Sequence, residues 1–456
     1  MSRDADKSEK ILNLHISTSS HSHMPSVLAR VSRRLAGFGF LCYVVAYLDR
    51  VNIGFAASAL RHDLHLSESA YGLGAGLFFI GYCLFEIPSN LVLERVGARL
   101  WIARIMIAWG FVSIATLFVT GEATFYAARV LLGIAEAGFF PGMVLYLTYW
   151  IPGSDRARVG ALFMAAAPVA FIIGAPVSDA LLRLDGRLGL AGWQWLFLAE
   201  GLPAVVLGIA ALFVLTDRPE QATWLAPDER AWLAQRMEED RAARPVVTHG
   251  ATLAAFASPK VWLLSTVYFL NTLVTYGVFL WFPSILRDAS GGAGGMRLTL
   301  VSAIPFVAAL IAMFWIGRHS DRTGERKLYV AACAITGAAG LIVAILFPRS
   351  VPMLVLGFTL SQIGQRSVLS VFWAIPPILL AGTAAAAGIA LINALGNLGG
   401  FVGPSVMGAL RDWTGAYTGG LLVLAGALVL EAVLVLGLRL PDEVAAVQQP
   451  HHVART

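Results

Sequence analysis

Charged side chains are scarce in this sequence. Asp, Glu, Lys and Arg make up 13% of the 456 residues and hydrophobic residues make up 57%, whereas a soluble domain carries about 25% charged residues. So few charges cannot cover the surface of a water-soluble fold of this length. The composition therefore excludes a soluble globular protein and predicts a chain embedded in lipid.

Cysteine is also scarce, and its spacing excludes a metal site. Cys42, Cys83 and Cys333 all lie in apolar stretches without metal-type spacing, which predicts packing roles. The sequence offers no nucleophile set, phosphate loop or soluble effector domain, so neither a membrane enzyme nor a signalling receptor is expected, and no cofactor. Residues 1–33 lack the apolar stretch and small-residue cleavage site of a secretory signal, so no cleavage is predicted.

What the chain has in abundance is long apolar segments. A bilayer core about 30 Å thick needs roughly 20 residues of helix to cross it. Short polar or Gly/Pro-containing stretches separate twelve such segments. We predict membrane-spanning helices at 35–59, 71–92, 100–119, 124–147, 157–183, 195–216, 260–286, 298–317, 328–347, 352–376, 382–409 and 417–438.

The basic residues predict the orientation of these helices, because cytoplasmic loops collect Lys and Arg. Of the 33 basic residues, 23 fall on the side that carries both termini and 7 on the other side. We therefore expect a multi-pass protein of the inner (plasma) membrane with both termini in the cytoplasm. The sequence pI of about 9.2 follows from this topology and requires no nucleic-acid partner.

The chain divides near its centre, where 217–259 is the long hydrophilic stretch between spans. The predicted domains are a tail at 1–34, a six-helix bundle at 35–216, a cytoplasmic linker at 217–259, a second bundle at 260–438 and a tail at 439–456. An internal repeat supports this division, since NLVLERVGARL follows the second span and GRHSDRTGERK follows the eighth. We predict an all-α membrane protein with two pseudo-symmetric six-helix bundles.

Each copy of the repeated loop places an acid–arginine pair before further basic residues. Because these loops are predicted to be cytoplasmic, we interpret their charged residues as gate contacts that exchange partners when the two bundles rock. The predicted gate residues are Glu94, Arg95, Arg99, Asp321, Arg322 and Arg326.

These loops resemble those of a known family. GRHSDRTGERK is similar to the loop signature G-x-x-x-D-R-x-G-x-[RK]-[RK] of the major facilitator superfamily, and the first copy departs from it at Asn90 and Glu94. With YLDRVNIGFA, RVLLGIAEAGFFPGMVLYLTYWIP and GIALINALGNLGGFVGP, the departing copy resembles the anion:cation symporters, which carry tartrate, hexuronate, galactonate or phthalate. The resemblance implies import of a small carboxylate by proton symport and alternating access, by a monomer in the lipid bilayer. A proton-coupled exporter or drug antiporter is the alternative.

The first span carries charge near its middle. Tyr43, Tyr47 and Arg50 follow the i, i+4, i+7 spacing of one helix face, and an arginine can hold a carboxylate through two parallel hydrogen bonds. We therefore predict substrate binding by Arg50 and Tyr47. The alternative is an internal charge balance between Arg50 and Asp49 without a ligand.

The fourth span places Arg129, Gly133 and Glu136 at the same spacing. A dry environment favours the protonated form of a carboxyl and a neighbouring arginine favours the ionised form, so protonation of Glu136 can follow the partner of Arg129 or Arg50. Arg129 is predicted to relay charge; alternatively it bridges helices and Glu136 neutralises it. The resemblance implies proton coupling at Asp49 and Glu136, and contact of Arg50 with the substrate anion.

The second bundle offers mostly neutral polar groups. Asn393 and Asn397 share a face of the eleventh span among glycines, and we predict that they bind substrate together with Tyr82 of the second span. The asparagines can instead hold helices together, and an aromatic residue in a span is more often core than site.

The tenth span is unusual for its basic residue. Gln362, Arg366, Ser370 and Trp373 share one helix face. A second membrane-embedded cation suits a substrate with two carboxylates, so Arg366 and Trp373 are predicted substrate contacts. The alternative is that Arg366 extends to the cytoplasmic surface.

Overall fold

The computed structural model describes residues 26–242, 255–292, 295–380 and 384–438, in which the regular structure is helical. Most of the predicted N-terminal tail, residues 243–254 of the predicted linker and the predicted C-terminal tail 439–456 lie outside these ranges.

The first half contains six membrane segments, two of which are broken into consecutive helices. A π-helical turn at Ser32–Ala36 leads into the first helix. The helices are α1 Gly37–Asp63, α2 Glu68–Val96, α3 Ala98–Ala115, α4 Glu122–Glu136 followed by α5 Phe139–Thr148, α6 Gly153–Met164 followed by α7 Ala166–Leu182, and α8 Gly192–Val214.

A hydrophilic helix, α9 Pro227–Ala242, follows the first half. Arg30, before α1, and Arg156 of α6 form ion pairs with Glu229 and Asp240 of α9. The helix is therefore held against one end of the first half, which we call the linker end.

The second half repeats the arrangement with six more segments. Its helices are α10 Pro259–Ala289, α11 Met296–Thr323, α12 Lys327–Leu346, α13 Val351–Phe372, the single turn α14 Pro376–Leu379, α15 Ala384–Asn397 followed by α16 Gly399–Thr414, and α17 Thr418–Leu436.

Eleven helices within the described ranges are long and apolar enough to cross a membrane. The remaining predicted segment, 352–376, the tenth along the chain, is α13, which has 22 residues but is not among the eleven. Its interior holds Gln362, Gln365 and Arg366, all of them buried, and these polar side chains lower its mean hydropathy. The eleven helices and α13 together make twelve segments, six in each half.

The fourth segment is not the continuous helix that its hydropathy suggests. Helix α4 ends at Glu136, and Gly138 adopts a left-handed conformation with φ of 84° before α5 begins. A side chain at Gly138 would be strained at this φ and would clash with Ser89 of α2. The break places Glu136 at a helix terminus in the protein interior, where it is 0% exposed.

Candidate functional site

A large cavity of about 2700 Å³ lies between the two halves. At the linker end its wall includes Arg33, Glu94, Trp232, Arg318 and Asp321. Deeper in, both halves supply polar and aromatic side chains from α1, α2, α10, α13 and α15. The cavity thus runs from the linker end to the middle of the molecule.

The far end of the molecule is closed by contacts between the halves. Asp412 of α16 accepts hydrogen bonds from the backbone N–H groups of Glu68 and Ser69, 3.1 and 2.8 Å away, at the first turn of α2. The rings of Phe171 in α7 and Phe306 in α11 stack with centroids 3.6 Å apart. An acid on a helix N-terminus and stacked aromatic rings both hold the halves together here.

Arg50 of α1 lines the cavity and is held there by residues of both halves. Its Nε and Nη2 atoms donate to Oε1 of Glu136 over 2.9 and 2.5 Å, and Nη1 donates to the hydroxyl of Tyr276 over 3.3 Å. The guanidinium carbon lies 5.3 Å from the ring centre of Tyr47 and 5.2 Å from that of Tyr82. The predicted face of α1 is therefore present, with a fixed cation between aromatic rings.

Glu136 lies behind Arg50 and does not line the cavity. Oε1 takes both hydrogen bonds from Arg50, while Oε2 is buried without a hydrogen-bond partner among the described residues. Anything that draws Arg50 into the cavity would leave this carboxyl group without its cation.

Asp49 points away from the cavity, towards α3. Its Oδ1 accepts hydrogen bonds from the hydroxyl of Ser113 and from the amide of Asn52, the latter over 3.3 Å. Arg50 forms its ion pair with Glu136, so the alternative of an Asp49–Arg50 pair is not the arrangement seen. Neighbouring residues of a helix point about 100° apart, which explains why the two side chains have different partners.

Arg129 of α4 is buried and poorly satisfied. One Nη atom lies 3.5 Å from the carbonyl of Ala75, whereas Nε and the other Nη atom have no hydrogen-bond partner in the described part of the chain. A buried guanidinium with free donors is costly. Asp49 and Glu136 each also have a carboxylate oxygen without a hydrogen-bond partner among the described residues.

Arg366 lies at the cavity and not at the surface. It is 5% exposed, lines the cavity and lies 5.9 Å from the ring of Phe279. Among the described residues its Nε has no partner. The ring of Tyr276, which accepts from Arg50, lies 6.2 Å from the same Phe279 ring, centre to centre, so Tyr276 lies near both arginines.

Trp373 and the two asparagines also line the cavity. The rings of Trp373 and Tyr268 meet edge to face with centroids 5.0 Å apart. Asn393 donates a hydrogen bond of 2.6 Å to Glu86 of α2, in the other half, and Asn397 lies beside the same carboxyl group. The asparagines therefore both line the cavity and join helices.

Three further buried acids are not among the predicted site residues. Glu86 lines the cavity. Glu200 of α8 accepts a hydrogen bond of 3.3 Å from Ser178. Glu431 of α17 does not line the cavity and lies next to Asn271, which does. Each is an acid inside a predicted span, and that signal alone marks a membrane-embedded residue for attention.

The predicted gate residues all lie at the linker end. Glu94 and Asp321 line the mouth of the cavity. Arg326 pairs with Asp321 over 2.6 Å within the second half, and the backbone N–H of Arg99 donates to Asp217 over 2.8 Å. Arg95 and Arg322 lie in the last turns of α2 and α11.

Comparison with known proteins agrees with the two-half architecture. The family model described as "Major Facilitator Superfamily" matches residues 39–299 and 292–454. The chain belongs to the major facilitator superfamily. It is therefore a transport protein and not an enzyme, as expected, and the family predicted from the loop motifs is confirmed.

Several bacterial transporters are similar over nearly the whole chain. A "Putative tartrate transporter" of Agrobacterium vitis is 48% identical over 90% of this chain and 94% of its own. A "Putative metabolite transport protein NicT" of Pseudomonas putida is 43% identical over 91% and 94%. A "Quinolone resistance transporter" of Acinetobacter baumannii is 39% identical over 88% and 92%.

Solved structures of more distant proteins share the fold. A bacterial homologue of the human lysosomal transporter Spinster, in an inward-facing and occupied conformation, matches with a TM-score of 0.71 and 17% identity over 88% of this chain and 95% of its own. The xylose transporter XylE of Escherichia coli, in a partially occluded inward-open conformation, matches with a TM-score of 0.69 and 15% identity over 88% and 96%.

Proposed function

We propose that this protein imports a small organic acid anion together with protons, by alternating access of a central site to the two sides of the membrane. The observation that carries the proposal is the position of Arg50: it lines the cavity, yet two of its nitrogens are bonded to the buried carboxylate of Glu136. A substrate carboxylate and Glu136 then compete for one guanidinium group.

This competition gives a physical route from anion binding to proton binding. A carboxylate in the cavity can accept the paired N–H groups of Arg50 in the same geometry that Glu136 now uses. Glu136 then loses its cation in a buried site, 0% exposed, where an ionised carboxylate is costly. Binding of the anion and of a proton to Glu136 become mutually favourable, so the two move together without an organic cofactor.

Asp49 and Arg129 complete the proposed coupling group. Arg129 has free donors and can turn to whichever of Asp49 and Glu136 is ionised. The cluster can therefore change its protonation without leaving an isolated charge in the lipid-embedded interior. Asp49 serves as the second proton site in this proposal.

The substrate class follows from the cavity wall and from the relatives. Away from the linker end, Arg50 and Arg366 line the cavity together with the aromatic rings of Tyr47, Tyr82 and Trp373. Such a site suits tartrate, a sugar acid or an aromatic carboxylate, and the similarity to the "Putative tartrate transporter" of A. vitis supports the first of these.

The conformation supports alternating access. The cavity opens at the linker end and is closed at the far end by Asp412 and the stacked aromatic rings. With the linker in the cytoplasm, as the basic residues predict, this is the inward-open state of a monomer in the inner membrane. In the outward-open state the gate residues at the linker end would meet and the far end would separate.

Reconstitution into liposomes tests the proposal. Purified protein should accumulate labelled tartrate, galactonate or phthalate against its gradient when the outside is acidic, and a protonophore should abolish the accumulation. Uptake that reaches only equilibrium, with no response to the pH gradient, would refute proton symport.

Export is the second candidate, because the quinolone resistance transporter is 39% identical. An exporter would lower quinolone accumulation in cells that express it, and its activity would not require a carboxylate gradient. Measuring drug susceptibility in the same cells that are assayed for acid uptake separates the two functions.

A further inference from the structure

Glu86 is an acid in the deeper part of the cavity, where Arg50 and Arg366 also line the wall. It is 5% exposed and lines the cavity from α2. Oε1 accepts a hydrogen bond of 2.6 Å from Asn393, whereas Oε2 is buried and has no hydrogen-bond partner in the described part of the chain. Buried polar atoms are nearly always satisfied, so this oxygen is suited to a group that arrives with the substrate.

The position of Glu86 relative to Arg50 limits what that group can be. Tyr82 and Glu86 are four residues apart and so share one face of α2. The Tyr82 ring centre lies 5.2 Å from the Arg50 guanidinium carbon, and Glu86 lies four residues, about 6 Å of helix rise, further along. A molecule of a few carbon atoms lying over Tyr82 can therefore reach both side chains.

We propose, resting on the function proposed above, that Glu86 determines specificity by hydrogen bonding a hydroxyl group of a substrate whose carboxylate is held by Arg50. A hydroxyl can donate to the free Oε2 of Glu86 and accept from the amides of Asn393 and Asn397. A second carboxylate at this point would face like charge, and an apolar edge would leave Oε2 unpaired.

An ammonium group is the competing partner for a carboxylate. Arg50 and Arg366 line the same cavity, and their positive charge disfavours a cationic substrate. A neutral hydroxyl group is repelled neither by the carboxylate of Glu86 nor by the two arginines. Hydroxylated acids are therefore the class of substrate that fits this part of the cavity wall.

Matched acids test the assignment. Binding to purified protein is measured by titration calorimetry for two pairs, tartrate with succinate and mandelate with phenylacetate, which differ only in hydroxyl groups. The parent protein should bind the hydroxylated member of a pair about 10- to 100-fold more tightly. Glu86→Leu should reduce this preference to about threefold or less while changing the affinity for the deoxy acid by no more than about threefold.

Glu86→Gln is the matched control, because it keeps hydrogen-bonding atoms of the same shape and should retain most of the preference. Unchanged binding of the deoxy acid by Glu86→Leu shows that the variant is folded. Aspartate, the amino analogue of succinate, is the third arm. A preference for aspartate over succinate that Glu86→Leu abolishes would show that Glu86 holds a cation, and would overturn the proposal.

Other results of these titrations would also refute the role proposed for Glu86. If the parent binds both members of a pair equally, or if Glu86→Leu keeps the hydroxyl preference, Glu86 does not read a hydroxyl group, although the proposed transport of organic acids stands. If the parent binds none of these acids, nor phthalate or galactonate, the proposed function fails and this inference fails with it.

Discussion

Arg50→Lys should weaken binding of the transported anion although it keeps the positive charge. The guanidinium uses Nε and Nη2 together on one carboxylate oxygen and Nη1 on Tyr276, and an ammonium group on a flexible stem cannot reproduce this fork. Loss of one charge-assisted hydrogen bond costs about 1.5–3 kcal/mol. The dissociation constant measured by titration calorimetry should therefore rise roughly 10- to 150-fold.

The matched control is Arg104→Lys. Arg104 lies on α3, is exposed, and stacks over Trp101 at 4.7 Å without lining the cavity, so this change should leave the affinity within about twofold. If Arg50→Lys binds the substrate as tightly as the parent, the anion site does not include Arg50, and the substrate does not compete with Glu136 for this guanidinium group.

Three further predictions concern the second cation, the closed end and the topology. Arg366→Lys should weaken binding of dicarboxylates about tenfold and leave monocarboxylates unchanged; equal effects on both in calorimetric titrations would contradict a second carboxylate site. Asp412→Ala removes a cap worth about 1 kcal/mol from the first turn of α2, so amide hydrogen exchange at Glu68 and Ser69 should accelerate about fivefold. Unchanged exchange would show that Asp412 does not stabilise the contact between the two halves at the closed end. Cysteines placed in the linker at 217–259 of a variant lacking the native cysteines should not react with impermeant thiol reagents in intact cells. Ready labelling would show that the linker lies outside the cell, opposite to the predicted orientation.

Helical periodicity predicted the contents of the cavity wall well. All seven predicted substrate contacts line the cavity, because a polar side chain in an apolar helix has few places to go except a protein interior or a water-filled space. Arg366 shows this most clearly, since its alternative was to extend to the surface and it is 5% exposed. Whether these residues bind substrate stays a prediction.

Partners across the two halves could not be predicted from the sequence. Periodicity assigns residues to faces of one helix, but it does not say which face of another helix they meet. Two hydrogen bonds, from Arg50 to Tyr276 and from Asn393 to Glu86, each join residues more than 200 positions apart. The sequence does not predict a role for Glu86, because its contact with Asn393 forms only where α15 of the other half packs beside α2.

The break in the fourth segment shows a second limit. Hydropathy across 124–147 is continuous and predicts a single helix, whereas the left-handed conformation of Gly138 separates α4 from α5. Glycine is common in membrane helices for close packing, and its occurrence alone does not distinguish a packing glycine from one that interrupts a helix.

A comparison of two transport modes of Glu136→Gln in liposomes tests most directly whether anion binding is coupled to protonation of Glu136. If Glu136 gives up Arg50 to the substrate and takes a proton in exchange, the variant should lose accumulation driven by a pH gradient while still exchanging labelled for unlabelled substrate. Accumulation at the parental level under the same gradient would contradict the account and would move the coupling role to Asp49.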